Sequence, residues 1–450
     1  MLAMPMKETL MTDPVQHSTS FLNSLPRAAS FALVLVCGLI TIATQPAQAQ
    51  TFSVLHTFTG GQDGWNPGAG FTMDSSGDLY GTTYVGRGGV GCGTAYQLQH
   101  KGSDWVLNPL YLFHGPDGCH PSARVVFGPD GVLYGTTYFG GLDGQGTAFN
   151  LRYPPSVCTT ALCPWQARVM YTFGANAHLP GNGDAVFDAA GNIYNTTTEG
   201  GDGPQCFGGG CDSLYQCFGV GCGAVYELTP SGSGWAEKVV HSFNRAGGDG
   251  ADPVAGVIID HAGNLYGTTL SGGNLNCHAP DGCGVIYQLT PSGSGWVENI
   301  LYTFQDGSDG ANPNGGLIFD QSGNLYGTTN QGGTGQGGTV FELSPTQEGW
   351  TFQLLYSLSG LGGPNAPLTM DAAGNLYGTT GRDGTYGWGN VFKLTSSNFG
   401  WTYTSLHDFT GGSDGLDPFS NVIFDANGNL YGTASQGGAY GGGVAWEITP

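Results

Sequence analysis

The chain has few charged residues and is especially short of basic ones. Only 10% of its 450 residues are charged, and 11 Lys and Arg stand against 33 Asp and Glu, which gives a formal net charge of −22. Residues 1–50 contribute nothing net, so the rest of the chain carries all of this charge. Such an acidic surface repels phosphate backbones. We therefore expect no nucleic-acid partner, and we attribute the charge to solubility outside the cell.

Long apolar runs are also lacking, with one exception near the N-terminus. A polar stretch with Lys7 and Arg27 precedes the apolar run 28–42, and Ala47-Gln48-Ala49 has the small-x-small pattern of a signal-peptidase site. The run is too short for a convincing transmembrane span. The sequence therefore predicts a signal peptide at residues 1–49 and a secreted or periplasmic protein. No second apolar segment follows, so we expect no membrane insertion after cleavage.

Several common catalytic and metal-binding motifs are absent. The sequence has no Gly-x-Ser-x-Gly elbow, phosphate loop, His-Glu-x-x-His pair, EF-hand spacing or RTX spacing. Its Gly-x-Gly strings lie between predicted strands, which gives a dinucleotide site almost no support. We expect no cofactor and no metal ion from these patterns.

Ten cysteines remain after the signal peptide, and an even number in an exported chain favours disulfides. Their spacing is local, although it does not fix the connectivity, and the group between residues 206 and 222 could pair in more than one way. Zinc binding by Cys206, Cys211, Cys217 and Cys222 is an alternative, but export and loose spacing favour bridges. The ten candidates are Cys92, Cys119, Cys158, Cys163, Cys206, Cys211, Cys217, Cys222, Cys277 and Cys283.

The dominant feature is an internal repeat. Glycine is very common, with 82 residues, but the periodic placement of aromatic residues argues against a disordered chain. The motif Asp-x-x-Gly-Asn-Leu-Tyr-Gly-Thr-Thr recurs in recognisable form seven times at intervals of 51 to 72 residues. Its tyrosines are Tyr80, Tyr134, Tyr194, Tyr266, Tyr326, Tyr377 and Tyr431.

Each repeat predicts four strands, which we name A to D from the axis outward. In the repeat that begins near residue 314, the compact apolar run 316–320 predicts an A strand buried on both faces. Residues 325–329 and 339–343 predict strands B and C, and the alternation in 350–358 predicts a D strand with one packed face. Seven such units predict an all-β fold, a seven-bladed β-propeller formed by residues 50–450.

The phase of the repeat predicts how the ring closes. Residues 51–58 have the pattern of a D strand and residues 443–449 that of a C strand, so the N-terminal strand should complete the last blade.

The A–B and C–D turns are short, except for the C–D connection 153–164. The D–A and B–C connections vary, and the largest insertion is at 199–221. Since variable loops on a rigid scaffold commonly carry function, we expect the functional site on the D–A/B–C face.

The repeated motif, together with Gly-Thr-Val-Phe-Glu-Leu and Asp-Gly-Ala-Asn-Pro, resembles the GloVer tandem-repeat family of exported bacterial proteins over residues 51–450. More distantly it is similar to NHL-type and streptogramin-lyase-type propellers. The resemblance implies a secreted or surface-associated protein and brings no catalytic residues. Members often end in a sorting segment, which we do not expect here because Pro450 directly follows the last strand. Val132, Asn195 and Ala434 depart from the motif.

Recurring polar residues have a structural interpretation. The Asp that opens each motif is best explained as a turn cap, and the Asp-Gly-x-Asn/Asp-Pro segments as further turns. His56, His241 and His407 occupy a D-strand position that holds tyrosine in other repeats, which predicts a half-buried aromatic slot. The motif-opening residues are Asp74, Asp130, Asp188, Asp260, Asp320, Asp371 and Asp425.

The candidate binding residues lie in the variable loops. Tyr386 and Trp388, with Arg382 nearby, could stack on a sugar ring or on a partner's side chain, although packing within the loop is the simpler alternative. The histidines of these loops that remain open to a role are His114, His120, His178 and His278. Of these, the candidates for ligand binding are His114, His120 and His278.

These features favour a monomeric extracellular binding module for a glycan or a protein. One alternative is a lyase or hydrolase with its site at the axial mouth of the propeller. Another is a structural component of the envelope or matrix.

Overall fold

A computed structural model describes residues 50–153, 165–174, 177–201, 221–232 and 234–450. Within these ranges the chain forms β-strands and one short 3₁₀ turn at Arg87–Gly89. Each of the seven repeats forms an antiparallel sheet with its strands in the order A-B-C-D. The predicted seven-bladed β-propeller is confirmed.

The same four strand positions recur in every blade, and the bounds follow in the order of blades 1 to 7. The A strands are Thr72–Met73, Val126–Phe127, Val186–Phe187, Ile258–Ile259, Ile318–Phe319, Thr369–Met370 and Ile423–Phe424. The B strands are Leu79–Thr83, Leu133–Thr137, Ile193–Gly200, Leu265–Thr269, Leu325–Thr329, Leu376–Thr380 and Leu430–Ala434. The C strands are Thr94–Lys101, Thr147–Arg152, Ala224–Ser231, Val285–Ser292, Thr339–Thr346, Asn390–Ser397 and Val444–Thr449. The D strands are Asp104–Leu112, Gln166–Thr172, Gly234–Ser242, Gly295–Thr303, Gly349–Ser357, Gly400–Asp408 and Thr51–Thr57. Additional short strands are Ala177–Pro180, Gly250–Ala251 and Ser271–Gly272.

The N-terminal strand closes the ring, as the phase of the repeat predicted. Thr51–Thr57 pairs antiparallel with Val444–Thr449, from Thr51 opposite Thr449 to Thr57 opposite Val444. Phe52 also stacks on His407 of blade 6, with the two ring centroids 3.6 Å apart. Thr51–Thr57 and Val444–Thr449 therefore both belong to blade 7, and the N-terminal strand packs against blade 6.

The expectation for the A strands was wrong in length and burial. In the fifth repeat only Ile318–Phe319 forms the strand, and both residues are partly exposed rather than buried on two faces. Ile318 lines a cavity on the propeller axis. Phe319 packs edge-on against Tyr266 of the preceding blade, with ring centroids 5.3 Å apart. The axial position leaves one face of this strand without a covering layer.

The uninterrupted alternation expected for the D strand was also wrong. In blade 5, Phe341 lies opposite Leu354 and Val340 opposite Tyr356, so Leu355 forms a β-bulge. The bulge reverses the alternation of buried and exposed side chains, so that Leu355 is buried and Leu354 is exposed. A register shift occurs at the same place in every D strand. The C strand is longer than predicted as well, because its pairing with strand D continues to Thr346.

The motif-opening aspartates cap their A–B turns as predicted. Asp320 Oδ1 accepts hydrogen bonds from the backbone N–H groups of Ser322 and Asn324, at 2.8 and 2.9 Å. Its Oδ2 accepts hydrogen bonds from Asn324 Nδ2 at 2.8 Å and from the Tyr326 hydroxyl at 3.4 Å. The other repeats use the same arrangement, in full or in part. The turn chemistry and the motif tyrosine therefore explain the recurrence of this aspartate without a ligand.

These turns predict a loss of stability in acid. Burial alone would raise the pKa of Asp260 and Asp371, but hydrogen bonds from Asn264 and Asn375 outweigh it and hold both pKa values below their ordinary range. Since the folded-state pKa is depressed, the stabilisation is present above about pH 4 and is lost as the pH falls through the folded-state value. We expect the melting temperature to fall steeply below about pH 4. Asp371→Asn should make this fall shallower, and an unchanged melting temperature down to about pH 2.5 would contradict the account.

The Asp-Gly-x-Asn/Asp-Pro segments are turns, and they explain the aromatic slot of the D strand. Asp309 accepts hydrogen bonds from the Tyr302 hydroxyl and from the backbone N–H of Gln305, both at 3.0 Å. Histidine makes the same contact in other blades: His56 Nε2 lies 3.1 Å from a carboxylate oxygen of Asp63. The half-buried slot predicted from the interchange of histidine and tyrosine is confirmed.

Two disulfides between the candidate cysteines lie within the described residues, Cys92–Cys119 and Cys277–Cys283. Cys222 is disulfide-bonded as well, which argues against the zinc alternative. Cys158, Cys163, Cys206, Cys211 and Cys217 lie outside the described residues. Disulfides of this kind fit an oxidising, extracytoplasmic compartment. No helix that could span a bilayer occurs in the part of the chain that the structure describes.

Candidate functional site: the axial mouth and the D–A/B–C face

The A strands surround a cavity of about 990 Å³ on the propeller axis. Its mouth is formed by D–A and B–C connections, so it opens on the face that the sequence favoured. Its wall is mainly apolar, and the first residues of five A strands contribute aliphatic side chains to it. These residues are Val126, Val186, Ile258, Ile318 and Ile423. Further apolar residues of the wall include Leu317, Leu368 and Met370.

The mouth of the cavity is rich in side-chain amides. Asn314 Nδ2 and Asn330 Nδ2 both donate hydrogen bonds to Asn365 Oδ1, at 2.7 and 2.8 Å. This network fixes the rim between blades 5 and 6. Amides offer both donors and acceptors, which suits ligands with hydroxyl or amide groups. The amide side chains that line the cavity belong to Asn66, Asn182, Asn314, Asn365, Asn421 and Gln436.

One ion pair lies at the mouth. Arg124 Nη2 and Nε donate to Asp184 Oδ2 at 2.6 and 3.0 Å, and the backbone N–H of Arg124 donates to Asp184 Oδ1 at 3.2 Å. Both side chains are about three-quarters buried. Among the described residues that line the cavity, Arg124 and Asp184 are the two charged ones, and their charges offset each other. The lining is therefore polar at its rim and has no net charge.

The sequence matches the Gloeobacter/Verrucomicrobia repeat family over residues 39–209 and 214–446. The chain belongs to this family. The resemblance inferred from the motifs is thereby confirmed. No protein with a curated description matches the sequence.

Two solved structures share the fold of this family member. The extracellular domain of a proposed one-component system from B. thetaiotaomicron matches with a TM-score of 0.52 at 10% identity, over 89% of this chain and 40% of that one. This chain thus spans less than half the length of that structure. A fungal alcohol oxidase of the AA5 family, solved in complex with copper, matches with a TM-score of 0.54 at 12% identity, over 90% of this chain and 77% of that one. Identities this low establish the fold alone.

The predicted residues Arg382, Tyr386 and Trp388 lie in the blade 6 B–C loop of this family member. Tyr386 and Trp388 are 58% and 44% exposed. The indole ring of Trp388 packs closely on Gly411, where an added Cβ would lie 2.9 Å from it. Arg382 points toward Asp417, with 4.0 Å between Nε and Oδ1. Trp388 is thus partly fixed by packing while a substantial area stays open.

The three predicted histidines are dispersed. His114 is largely exposed, with Nδ1 3.7 Å from an Asp117 oxygen. His278 Nε2 lies 2.8 Å from Asp306 Oδ2. His120 stacks on Tyr84, a cavity-lining residue, with 4.5 Å between the ring centroids, and burial lowers the pKa of its imidazole. Only His120 is adjacent to the mouth.

The D–A/B–C face carries several of the large exposed apolar side chains. Eight of the fifteen such residues in the described part of the chain lie in these connections, and five lie in D strands. They are Val90, Leu142, Leu275, Leu361, Tyr386, Trp388, Phe419 and Tyr440. The D–A/B–C face therefore offers exposed apolar side chains to a ligand or partner.

Sequence reasoning missed the cavity-lining ion pair. The position two residues before strand A is occupied by glycine in blades 1, 4 and 5, namely by Gly70, Gly256 and Gly316. Arg124 and Asp184 occupy this position in blades 2 and 3. Alignment of the seven family repeats at this position would have shown two opposite charges in adjacent blades. Among the amides of the mouth, Asn182, Asn314 and Asn365 share one position, four residues before strand A, whereas the others come from different positions in the repeat.

Proposed function

We propose that this protein is an extracellular binding module whose D–A/B–C face binds a neutral glycan, with part of the ligand entering the axial mouth. The observation that carries the proposal is the presence, on one face, of exposed apolar and aromatic side chains and of a cavity whose rim is rich in amides and has no net charge. Sugars present hydroxyl groups to amides and apolar ring faces to aromatic side chains. The site offers both kinds of contact.

The charge of the protein supports a neutral ligand. A net charge of −22 disfavours polyanionic partners at moderate salt. The cation at the mouth, Arg124, is already paired with Asp184. A ligand that depends on hydrogen bonds and stacking therefore fits better than a charged one.

The lining of the cavity supports binding more than hydrolysis. Most glycoside hydrolases place two carboxyl groups beside the scissile bond. The described lining supplies one, Asp184, and its hydrogen bonds to Arg124 occupy both of its oxygens. A protein ligand is the second candidate, because Val90, Leu142 and Leu361 add exposed aliphatic surface that sugars would not use.

Export is part of the proposal. Membership of the family and the disulfides support an extracytoplasmic location, and the pattern of residues 1–49 supports export by a cleaved signal peptide.

A glycan panel tests the proposal, with the oxidised protein as the probe. We expect saturable binding of a neutral glycan without release of product. Trp388→Ala should weaken it about tenfold or more through lost stacking. Phe399→Ala is the matched control, because Phe399 is a fully exposed aromatic residue in a C–D turn, on the opposite face. Equal effects of both variants, release of product, or the absence of any binding would contradict the proposal.

A further inference from the structure

A second polar cluster lies away from the axial cavity, between the D strands of blades 3 and 4. His241 is on strand D of blade 3, Asp249 is in the connection that follows, and Glu298 is on strand D of blade 4. One ligand atom from each residue lies within 4.8 Å of the other two. The three side chains are 21%, 9% and 17% exposed, in that order.

The corresponding positions in other blades are satisfied by protein partners. Tyr302 stacks on Phe352 with 4.3 Å between the ring centroids, and its hydroxyl donates to Asp309. His407 stacks on Phe52 and contacts Asp414 at 3.1 Å. In these two blades the slot combines a ring stack across the blades with one hydrogen bond to the aspartate, and in blade 2 the Tyr171 hydroxyl donates to Glu237 of blade 3 at 2.7 Å.

His241 departs from this pattern. Its Nε2 lies 3.8 Å from Asp249 Oδ1 and 3.5 Å from Glu298 Oε1, beyond a normal hydrogen bond in both cases. Both His241 Nε2 and Glu298 Oε1 are shielded from solvent and have no hydrogen-bond partner. Buried polar atoms without partners are uncommon and need an explanation. These two atoms can both act as metal ligands, and they come from different blades but lie only 3.5 Å apart.

We propose that His241, Asp249 and Glu298 bind a divalent transition-metal ion, with Zn²⁺ as the best fit. Zn²⁺ binds imidazole nitrogen and carboxylate oxygen at about 2.0–2.2 Å, which places neighbouring ligands of a tetrahedron roughly 3.3 Å apart. The separations of 3.5 and 3.8 Å are close to this value. Ca²⁺ and Mg²⁺ prefer sites made of oxygen alone, so the imidazole favours a transition metal.

The surroundings of the cluster suit a cation. Backbone N–H groups of Asn244 and Gly250 donate to Asp249 at 2.8 and 2.6 Å and hold its carboxylate in place. A doubly charged cation would offset the two carboxylates, and three protein ligands would leave a fourth position for water. The ion would join blades 3 and 4 at their outer edge.

Titration of the chelator-treated full protein with Zn²⁺ tests the site. We expect saturable one-to-one binding and a rise in melting temperature of about 3 °C at roughly hundredfold excess over Kd. The absence of saturable binding would overturn the proposal.

A paired substitution identifies the residues involved. His241→Tyr combined with Glu298→Phe gives this slot the residues of the Tyr302–Phe352 pair, so the variant should fold and bind Zn²⁺ about 100-fold more weakly. His407→Tyr is the control, since it changes the equivalent histidine in blade 6 and should leave the affinity unchanged. If the double variant does not fold, Glu298→Gln should still weaken binding about tenfold or more. Unaltered affinity in a folded variant of the cluster would contradict the assignment.

Discussion

A chain that lacks residues 51–57 should be strongly destabilised, because blade 7 would lose its D strand. This strand forms the outer pairing with Val444–Thr449, and its loss would expose an unpaired edge. It would also remove Phe52 from its contact with His407 and Phe409. Lost burial and hydrogen bonding together should cost on the order of 5 kcal/mol, and the melting temperature should fall by about 6 °C.

The control is a chain that begins at Gln50 and keeps the complete strand. It should melt at the same temperature as the full-length protein. A synthetic peptide of residues 51–57 should restore part of the stability of the truncated chain. If the truncated chain were as stable as the control, the N-terminal strand would not be what closes the ring.

Gly310→Ala should be among the most damaging single substitutions. Gly310 belongs to the Asp-Gly-x-Asn-Pro turn and has φ = +94°, which L-residues rarely adopt. An added Cβ would lie 2.2 Å from Thr329 Oγ1 and 2.7 Å from Thr339 Oγ1. Both threonines are fully buried and hydrogen-bonded to each other, so neither can move away easily. Backbone strain and overpacking together should cost about 4 kcal/mol in the free energy of unfolding.

Gly323→Ala separates the effect of backbone strain from that of overpacking. Gly323 has φ = +84° in an A–B turn, but an added Cβ would have no neighbour within 4 Å. This substitution should cost only the backbone strain, about 1–2 kcal/mol. Denaturant unfolding of the two variants measures the difference. Equal losses would show that the close approach to Thr329 does not determine the choice of glycine at position 310.

Most of the fold could be predicted because its signals are local. The turn motif from Asp320 to Tyr326 and the apolar pattern of strand B each lie within a few residues, so sequence alone places them well. The β-bulge at Leu355 could not be predicted, because it depends on the pairing of strand D with strand C. Leu354 and Leu355 are the same residue type, and only the sheet decides which is buried.

The sites could be predicted far less well, since they form between blades. Arg124 and Asp184 are 60 residues apart and meet only because adjacent A strands converge on the axis. His241 and Glu298 are likewise on different blades. Tyr386 and Trp388 could be proposed as candidates because aromatic residues in a variable loop are conspicuous. The amides of the mouth could not, because asparagine is equally common in turns.

Hydrogen exchange of the protein with and without the tightest neutral glycan of the panel tests the central claim most directly. We predict slower exchange in the D–A and B–C segments around the mouth, including 66–69, 121–124, 314–317 and 419–422. The A–B turns, such as 320–324, should be unaffected. Protection of the A–B turns with no change at the mouth would contradict the assignment of the binding face.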